Sequence, residues 1–271
     1  MTSQPVARPW KMTPLLLGSA VVHAGALGAG VAWPGTWPWA LGAVVADHAL
    51  LTTAGLLPTS AALGPNMRRL PAETGSKAVA LTLDDGPDPA VTPQVLDLLD
   101  AARVKASFFC IGWRARAHPA LCREIVARGH SVENHGDAHS WAFSLYGPAR
   151  MRRDVSAAQA TLSDITGQAP LYFRPTAGLR NPFLEPVLAS LGLRLASWSK
   201  RAYDTRTADV NLVVQRLTGQ LQQRDILLMH DGNSPRADDG RPAILQVLPR
   251  VLHAIEQRGW QASGLPRHVT E

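Results

Sequence analysis

The sequence predicts an α/β fold: a (β/α) barrel of seven or eight strands, complete or incomplete, preceded by an N-terminal hydrophobic helical region. Three observations predict it. From about Lys77 onward, short apolar runs alternate with amphipathic stretches of helical length, the pattern of parallel strands with helices outside. Six or seven such units in about 195 residues suit a barrel better than a four-unit open sheet. Charged residues are only 18% of the chain, and the shortfall lies almost entirely before Lys77.

From Thr13 to Ser76 the only carboxylates are Asp47 and Glu73, and the only cations are Arg68 and Arg69. Two apolar segments lie there, Leu15–Val31 and Trp39–Leu57, each close to the ~20 residues that span a bilayer as a helix. Trp33, Trp37 and Trp39 cluster between them, where an interfacial aromatic belt would sit. His23 interrupts the first segment and Asp47-His48 the second; one central Asp costs about 3 kcal/mol on insertion. Three arrangements fit. Residues 1–58 form a helical hairpin anchor, or one spanning helix precedes an interfacial one, or Arg8 and Lys11 open a signal peptide. Cations before and after the pair, with none between, fit a hairpin with both ends cytoplasmic. Residues 59–76 then read as a linker, and 77–271 as the folded α/β domain.

In that domain the predicted strands are Ala78–Leu83, Ala106–Cys110, His130–Glu133, Leu171–Phe173, Leu193–Trp198 and Ile226–Met229. The predicted helices are Pro93–Ala102, Pro119–Arg128, Pro148–Thr166, Leu184–Leu191, Val210–Gln222 and Ile244–Arg258. Several open with Pro in the first turn and close at Gly. Val95, Leu96 and Leu99 share one face of the first, and Leu248, Val251, Leu252 and Ile255 one face of the last.

Composition excludes several function classes. The net charge of +6 is small and scattered, with no basic run interleaved with aromatics, so nucleic acid is not an expected partner. Two cysteines, Cys110 and Cys122, exclude a disulfide scaffold and a cysteine-ligated zinc module. At 271 residues the chain buries a core without staples.

The reactive side chains fall at strand ends. Asp84-Asp85 follow the first apolar run, His135 and His139 the third, Arg174 the fourth, and His230-Asp231 the last, with Asp204 six residues past Trp198. In parallel α/β folds those ends share one face, so distant residues converge there. Two imidazoles four residues apart plus a carboxylate can hold a divalent metal and leave positions open; Asp85, His135 and His139 are that set. Adjacent carboxylates cannot both point from one strand face, so one of the pair binds metal and the other serves as general base. His230 is placed to act as general acid. A two-His-one-carboxylate site also suits ferrous oxygenase chemistry, but a free base beside the metal favours hydrolysis. The remaining histidines His23, His48, His118, His253 and His268 read as structural.

Five motifs in order resemble those of the NodB-type polysaccharide deacetylases, carbohydrate esterase family 4, over roughly Lys77 to Leu265. They are Leu81-Thr82-Leu83-Asp84-Asp85-Gly86-Pro87, Asn134-His135-Gly136-Asp137-Ala138-His139-Ser140, Phe173 through Asn181, Trp198 through Asp204, and Leu228-Met229-His230-Asp231. The resemblance implies Asp84 as base, Asp85, His135 and His139 as metal ligands, and His230 as acid. It further implies that Asp204 orients His230, that Arg174 steadies Asp84, and that backbone N–H groups near Ala177 and Gly178 meet the oxyanion. Zn2+ is the expected metal, with Co2+, Mn2+, Fe2+ or Ni2+ as alternatives.

The chain departs from the family pattern at four points. Gly136 replaces a Thr or Ser, which should loosen the shell orienting the metal ligands. Thr176-Ala177 replaces Pro-Tyr, removing an aromatic wall. Arg201 stands where many members have Asp, and Thr205 where many have Trp, so Lys200-Arg201 brings positive charge beside the site. These changes bear on substrate. The expected function is metal-dependent N-deacylation (acetyl or formyl) of an amino sugar carried on a polyprenyl phosphate, at the cytoplasmic face of a bacterial inner membrane. The alternatives are a periplasmic or secreted deacetylase of peptidoglycan or an exported polysaccharide, and a membrane-anchored carbohydrate-binding pseudoenzyme.

Overall fold

The computed structural model describes residues 6–74 and 77–267; His268 and the rest of 268–271 lie outside the described residues. The N-terminal helices are α1 (Pro14–Ala32) and α2 (Trp37–Leu56), joined by a single short turn. Thr13 caps α1 by accepting the Leu16 N–H at 3.3 Å. Both helices are long and apolar enough to cross a membrane, and Leu17, Val21, Leu27, Val45 and Leu50 are exposed. Between the helices, Ser19 Oγ donates to Asp47 Oδ2 at 2.7 Å, with both residues buried. His23 Nδ1 lies 2.8 Å from the Ser19 carbonyl, and its Nε2 3.2 Å from that of His48. The polar residues that interrupt the apolar pattern therefore face one another.

The chain continues as β1 (Ala78–Gly86), α3 (Thr92–Ala101), β2 (Ser107–Cys110), α4 (Gly112–Ala117), α5 (Pro119–Ala127), β3 (Ser131–Asn134), α6 (Pro148–Thr166), β4 (Tyr172–Phe173), α7 (Leu184–Ser190) and β5 (Arg194–Leu195). It closes with β6 (Lys200–Arg201), α8 (Val210–Thr218), β7 (Ile226–His230), α9 (Ile244–Glu256) and β8 (Gln261–Ser263). All pairings are parallel, in the order β5-β4-β3-β2-β1-β7-β6, with β8 on the first residues of β1.

Connectivity forces this sheet to curl. Strands β5 and β6 occupy its two ends, yet only residues 196–199 separate them. Six inter-strand gaps would put the ends ~29 Å apart in a flat sheet, whereas so short a connection reaches at most ~18 Å. The result is an incomplete barrel. Alternation along β1 then sorts its side chains. Val79, Leu81 and Leu83 pack outward under Val95, Leu96, Leu99, Leu248, Val251 and Ile255. Ala78 and Ala80 point inward with Phe109, Tyr172 and Leu228, which puts Thr82 and Asp84 in the inward row.

Several predicted elements change. The strand expected over Leu193–Trp198 is cut to β5, and the chain crosses the open seam instead. Strands β6 and β8 are polar and two or three residues long, so no apolar run announces them. The helix expected to reach Gln222 stops at Thr218, before Gly219. The described part of the stretch read as a linker is built into the seam. Met67 pairs with Ala196, Arg69 with Asp225, and Leu70 is fully buried. The hairpin is tied to the barrel by the Arg8–Glu185 ion pair at 2.6 Å and by the Arg180 N–H on the Gly55 carbonyl at 3.1 Å.

Candidate active site

The C-terminal strand ends surround a cavity of about 490 Å³, with Asp84, Asp85, His135, His139 and His230 in its wall. Strand geometry alone would send neighbours Asp84 and Asp85 to opposite faces. The ladder between β1 and β2 shifts register between Asp84 and Gly86, and Asp85 sits at φ 71°. This bulge re-aims Asp85 into the cavity that Asp84 already faces. The expectation that one strand face cannot present both carboxylates is thereby corrected: the backbone leaves the strand conformation to do so. His139, Ala177 and Asn233 also hold left-handed backbone, at φ 49°, 55° and 58°, and such strain concentrates at functional sites.

Asp85 Oδ1 lies 3.2 Å from His135 Nε2 and 3.0 Å from His139 Nε2. These are donor–donor separations that bonds of ~2.0–2.2 Å to one shared ion produce. The three donor atoms all lie within 4.8 Å of one another. His135 Nδ1 is 2.7 Å from the Arg174 carbonyl, which fixes the tautomer and leaves Nε2 as acceptor. Asp85 Oδ2 accepts from Asn233 Nδ2 at 2.8 Å. Burial opposes the charge on Asp85, but where protonated imidazolium rings of His135 and His139 take a cation's place, their hydrogen bonds and the His135 charge hold its carboxyl far below the usual carboxylate range. An anionic carboxylate and two fixed imidazole nitrogens fit a divalent cation. Gly136 does not loosen this arrangement. Its N–H donates to Asn134 Oδ1 at 2.9 Å, its φ is +79°, and a Cβ there would come within 2.8 Å of Asp154 Oδ2. The Asp154 carboxylate in turn holds the Asp137 and Ala138 N–H groups, both at 3.1 Å.

Asp84 is clamped from behind. Arg174 is fully buried and donates through Nη1 to Asp84 Oδ1 at 2.5 Å and Thr82 Oγ1 at 3.0 Å. Its other donors reach the Ala196 and Ser197 carbonyls at 3.0 and 2.9 Å. The guanidinium also lies 4.0 Å above the Phe109 ring. Asp84 Oδ2 is thus the oxygen on the cavity side, 3.8 Å from His135 Nε2. Across the cavity, Asp204 takes His230 from two directions: Oδ1 at 2.8 Å from Nδ1 and Oδ2 at 2.8 Å from the His230 N–H. Burial lowers the His230 pKa, but the Asp204 carboxylate, with Asp84 and Asp85 behind it, outweighs this and raises it to about 9. Asp231, next in sequence, takes no part in the cavity wall; it is buried, accepts from Thr92 Oγ1 at 2.5 Å, and burial pushes its pKa up to about 7.

Two sequence expectations need correction. The Gly178 N–H already donates to the Pro175 carbonyl at 2.8 Å, so it is not available to an oxyanion. The Ala177 N–H meets no acceptor among the described residues. Lys200 turns away from the site, its Nζ 3.1 Å from the Gly219 carbonyl, and only Arg201 of the pair lines the cavity. Sequence reasoning also missed residues. Trp141 stands at the rim, 74% exposed, and supplies an aromatic surface where Ala177 withholds one. Its position directly after the second motif was a usable signal. Asn233 and Arg206 lie between the predicted strands and helices, where the pattern gives them no functional reading.

If His230 acts as an acid, its protonated form must be the active one. The Asp204→Asn variant removes the charge that holds its pKa near 9, so the alkaline limb of the kcat/KM profile should move from about 9 toward or below the ordinary ~6.5. An unmoved limb would make Asp204 a purely structural residue.

Comparison with known proteins adds the following. A model of the polysaccharide deacetylase family matches residues 72–196. The chain is 32% identical over 201 residues to a chitooligosaccharide deacetylase of a Bradyrhizobium species, covering 72% of this chain and 91% of the relative. It is 30% identical over 187 residues to a peptidoglycan-N-acetylglucosamine deacetylase of Bacillus cereus, covering 68% and 84%. Among solved structures it is similar to a family 4 carbohydrate esterase from Streptomyces lividans in complex with acetate, with TM-score 0.62 and 29% identity over 69% of this chain and 91% of that one. A carbohydrate esterase family 4 pseudoenzyme from Bacillus anthracis shares the fold at TM-score 0.66 and 18% identity, over 74% of this chain and 67% of that one.

Proposed function

Because the chain belongs to the polysaccharide deacetylase family, we propose that it is a metal-dependent N-deacylase of an amino sugar, and that the sugar is carried on a membrane polyprenyl phosphate. The observation that carries the hydrolase reading is the convergence of Asp84, Asp85, His135, His139 and His230 on one cavity. All five side chains are present and correctly partnered, which argues against a binding-only pseudoenzyme.

Asp85, His135 and His139 would hold the divalent cation, most simply Zn2+. When bound, it supplies positive charge that polarises the amide carbonyl and acidifies a neighbouring water. Asp84 Oδ2 takes a proton from the water whose oxygen attacks the acyl carbon. Arg174 occupies Asp84 Oδ1 and fixes the direction of Oδ2. The Ala177 N–H faces the oxygen that gains charge. His230 gives its Nε2 proton to the sugar nitrogen as the carbon–nitrogen bond breaks, and Asp204 stabilises the imidazolium before that transfer. One water and one amide become an amine and a carboxylate.

The lipid-linked reading rests on where the cavity lies. Gly178, in its wall, has φ +77°, and a Cβ there would fall 2.7 Å from Pro58 Cβ and 2.5 Å from the Trp198 ring. Pro58 comes two residues after α2, so the foot of the hairpin backs one wall of the cavity. The competing reading, a peptidoglycan or exported-polymer deacetylase, is favoured by the names of the relatives and the exposed Trp141 rim. Reporter fusions after Glu271, which lies outside the described residues, and in the Gly35 turn separate the two. We expect both ends of the hairpin on the cytoplasmic side. An external C-terminus would reject the polyprenyl-phosphate reading at that face and make peptidoglycan the substrate to assay.

A further inference from the structure

We infer that Arg201 and Arg206 form an anion subsite within the catalytic cavity that takes the phosphate of a glycosyl phosphate substrate. This rests on the reading of that cavity as an amino-sugar N-deacylase. Arg201 occupies the inward position of β6, opposite Leu228 of β7, which also lines the cavity. Its guanidinium is held by ring faces rather than by acids: the carbon lies 5.0 Å from the Trp198 ring centre and 4.6 Å from that of Tyr203. No carboxylate comes within ion-pair distance of Arg201 among the described residues, and its Nε is buried with no hydrogen-bond partner. Arg206 lines the same cavity, is exposed, and likewise has no ion pair or side-chain hydrogen bond among the described residues.

Exposed arginines such as Arg103, Arg123, Arg152 and Arg153 also lack acidic partners among the described residues, but several of those packed against the fold are answered. Arg174 is answered by Asp84, Arg116 by Asp137, Arg128 by Asp97 and Glu124, and Arg8 by Glu185. Two unanswered guanidinia in one concave wall, beside two carboxylates, Asp84 and Asp85, that already have partners, leave the substrate as the source of the balancing charge. Planar forks approaching from two residues suit a tetrahedral phosphate better than a single carboxylate. Beyond Trp198, toward the hairpin, a second cavity is lined by Arg68, also unpaired among the described residues. The two cavities share Trp198 in their walls, so Arg68 places a further positive charge on the hairpin side of the subsite.

The test uses the full chain in detergent with four probes: the methyl glycoside of N-acetylglucosamine, N-acetylglucosamine 1-phosphate, the methyl glycoside of N-acetylmuramic acid, and polyprenyl-phosphate-linked N-acetylglucosamine in vesicles. The readout is the ratio of kcat/KM for phosphate-bearing to neutral sugar. The subsite predicts a ratio of about 10–100 in the wild type, the factor carried by charge-assisted hydrogen bonds. In Arg206→Gln and in Arg201→Gln that ratio should fall about tenfold, mostly through KM, and Arg201→Lys should restore part of it. Arg206 is exposed, so its variant reports even if Arg201→Gln disturbs the stacked rings. A wild-type ratio near one, a preference for the muramic carboxylate, or parallel losses on every probe would overturn the subsite. Equal gains with the soluble and lipid-linked phosphates would place recognition in the phosphate alone; a further gain with the lipid would add the chain to it. Calorimetric binding of N-acetylglucosamine 1-phosphate to Asp84→Asn, with and without Arg206→Gln, separates the two claims. Binding lost with Arg206 but no hydrolysis of any probe by the wild type would sink the deacylase reading and keep the subsite. Hydrolysis with no phosphate preference would do the reverse.

Discussion

Replacing Asp84 by asparagine is expected to leave the bound metal in place and to lower kcat by about 10²–10⁴-fold, the range a positioned general base supplies. The expectation follows from the division of labour between the two carboxylates. Asp85 Oδ1 faces both imidazoles, whereas Asp84 meets Arg174 on one oxygen and the cavity on the other. Asparagine preserves the shape and can still accept from Arg174, but it cannot take a proton from water. Metal content, measured directly on the purified variant, should match the wild type. His135→Ala is the contrasting case, since it deletes a donor and should lose metal and turnover together. If Asp84→Asn turned over within a few-fold of the wild type, the base would have to be sought elsewhere. If it lost metal, Asp84 would belong to the ligand set.

Arg174→Met should cost folding stability first and activity second. The guanidinium is fully buried and makes four hydrogen bonds that join β1 to the chain beyond β5. Removing it leaves Asp84 as a buried charge without a counter-ion, a change that costs about 3–5 kcal/mol. For a domain of this size that is a fall in Tm of roughly 6–20 °C. The physical cause can be isolated with a second substitution. In the Arg174→Met background, Asp84→Asn removes the stranded charge and should recover part of the lost stability, although alone it takes the counter-charge from Arg174. A double-mutant cycle showing additive losses would mean that the two residues do not act as a pair.

The inner shell of the site was legible in the sequence because each reactive residue follows an apolar run long enough to read as a strand. Asp84, Asp85, His135, His139, Arg174 and His230 all reach the same strand-end face, and parallel topology does the rest. What was not legible depends on backbone departures that leave no periodic trace. No pattern in Leu83-Asp84-Asp85-Gly86 announces the bulge that turns Asp85 inward. Lys200 and Arg201 read as one basic pair, yet a two-residue strand sends them to opposite sides, one to Gly219 and one to the cavity. Gly178 read as a donor, but its N–H closes the turn that presents Ala177. The predicted strand over Leu193–Trp198 is shortened to β5 because its later residues serve the crossing of the seam, where Ala196 pairs with Met67. Helices fared better, since α3, α6 and α9 each bury a continuous apolar face.

The hairpin and barrel are joined with little slack. Asp47 and Ser19 lock the two helices in register, because sliding either by a turn would strand a carboxyl among apolar side chains. Arg8 on Glu185, and Arg180 on Gly55, then fasten that stalk to the domain. An enzyme anchored through such a stalk has no leash. Under the proposed membrane reading, its cavity would ride at one height above the lipid and in one orientation, sampling a plane rather than a volume. Encounter would then be governed by how many substrate molecules share each patch of membrane, not by their concentration in the surrounding fluid. A sugar on a diffusing lipid enters that plane by construction, whereas a polymer must bend down to meet it.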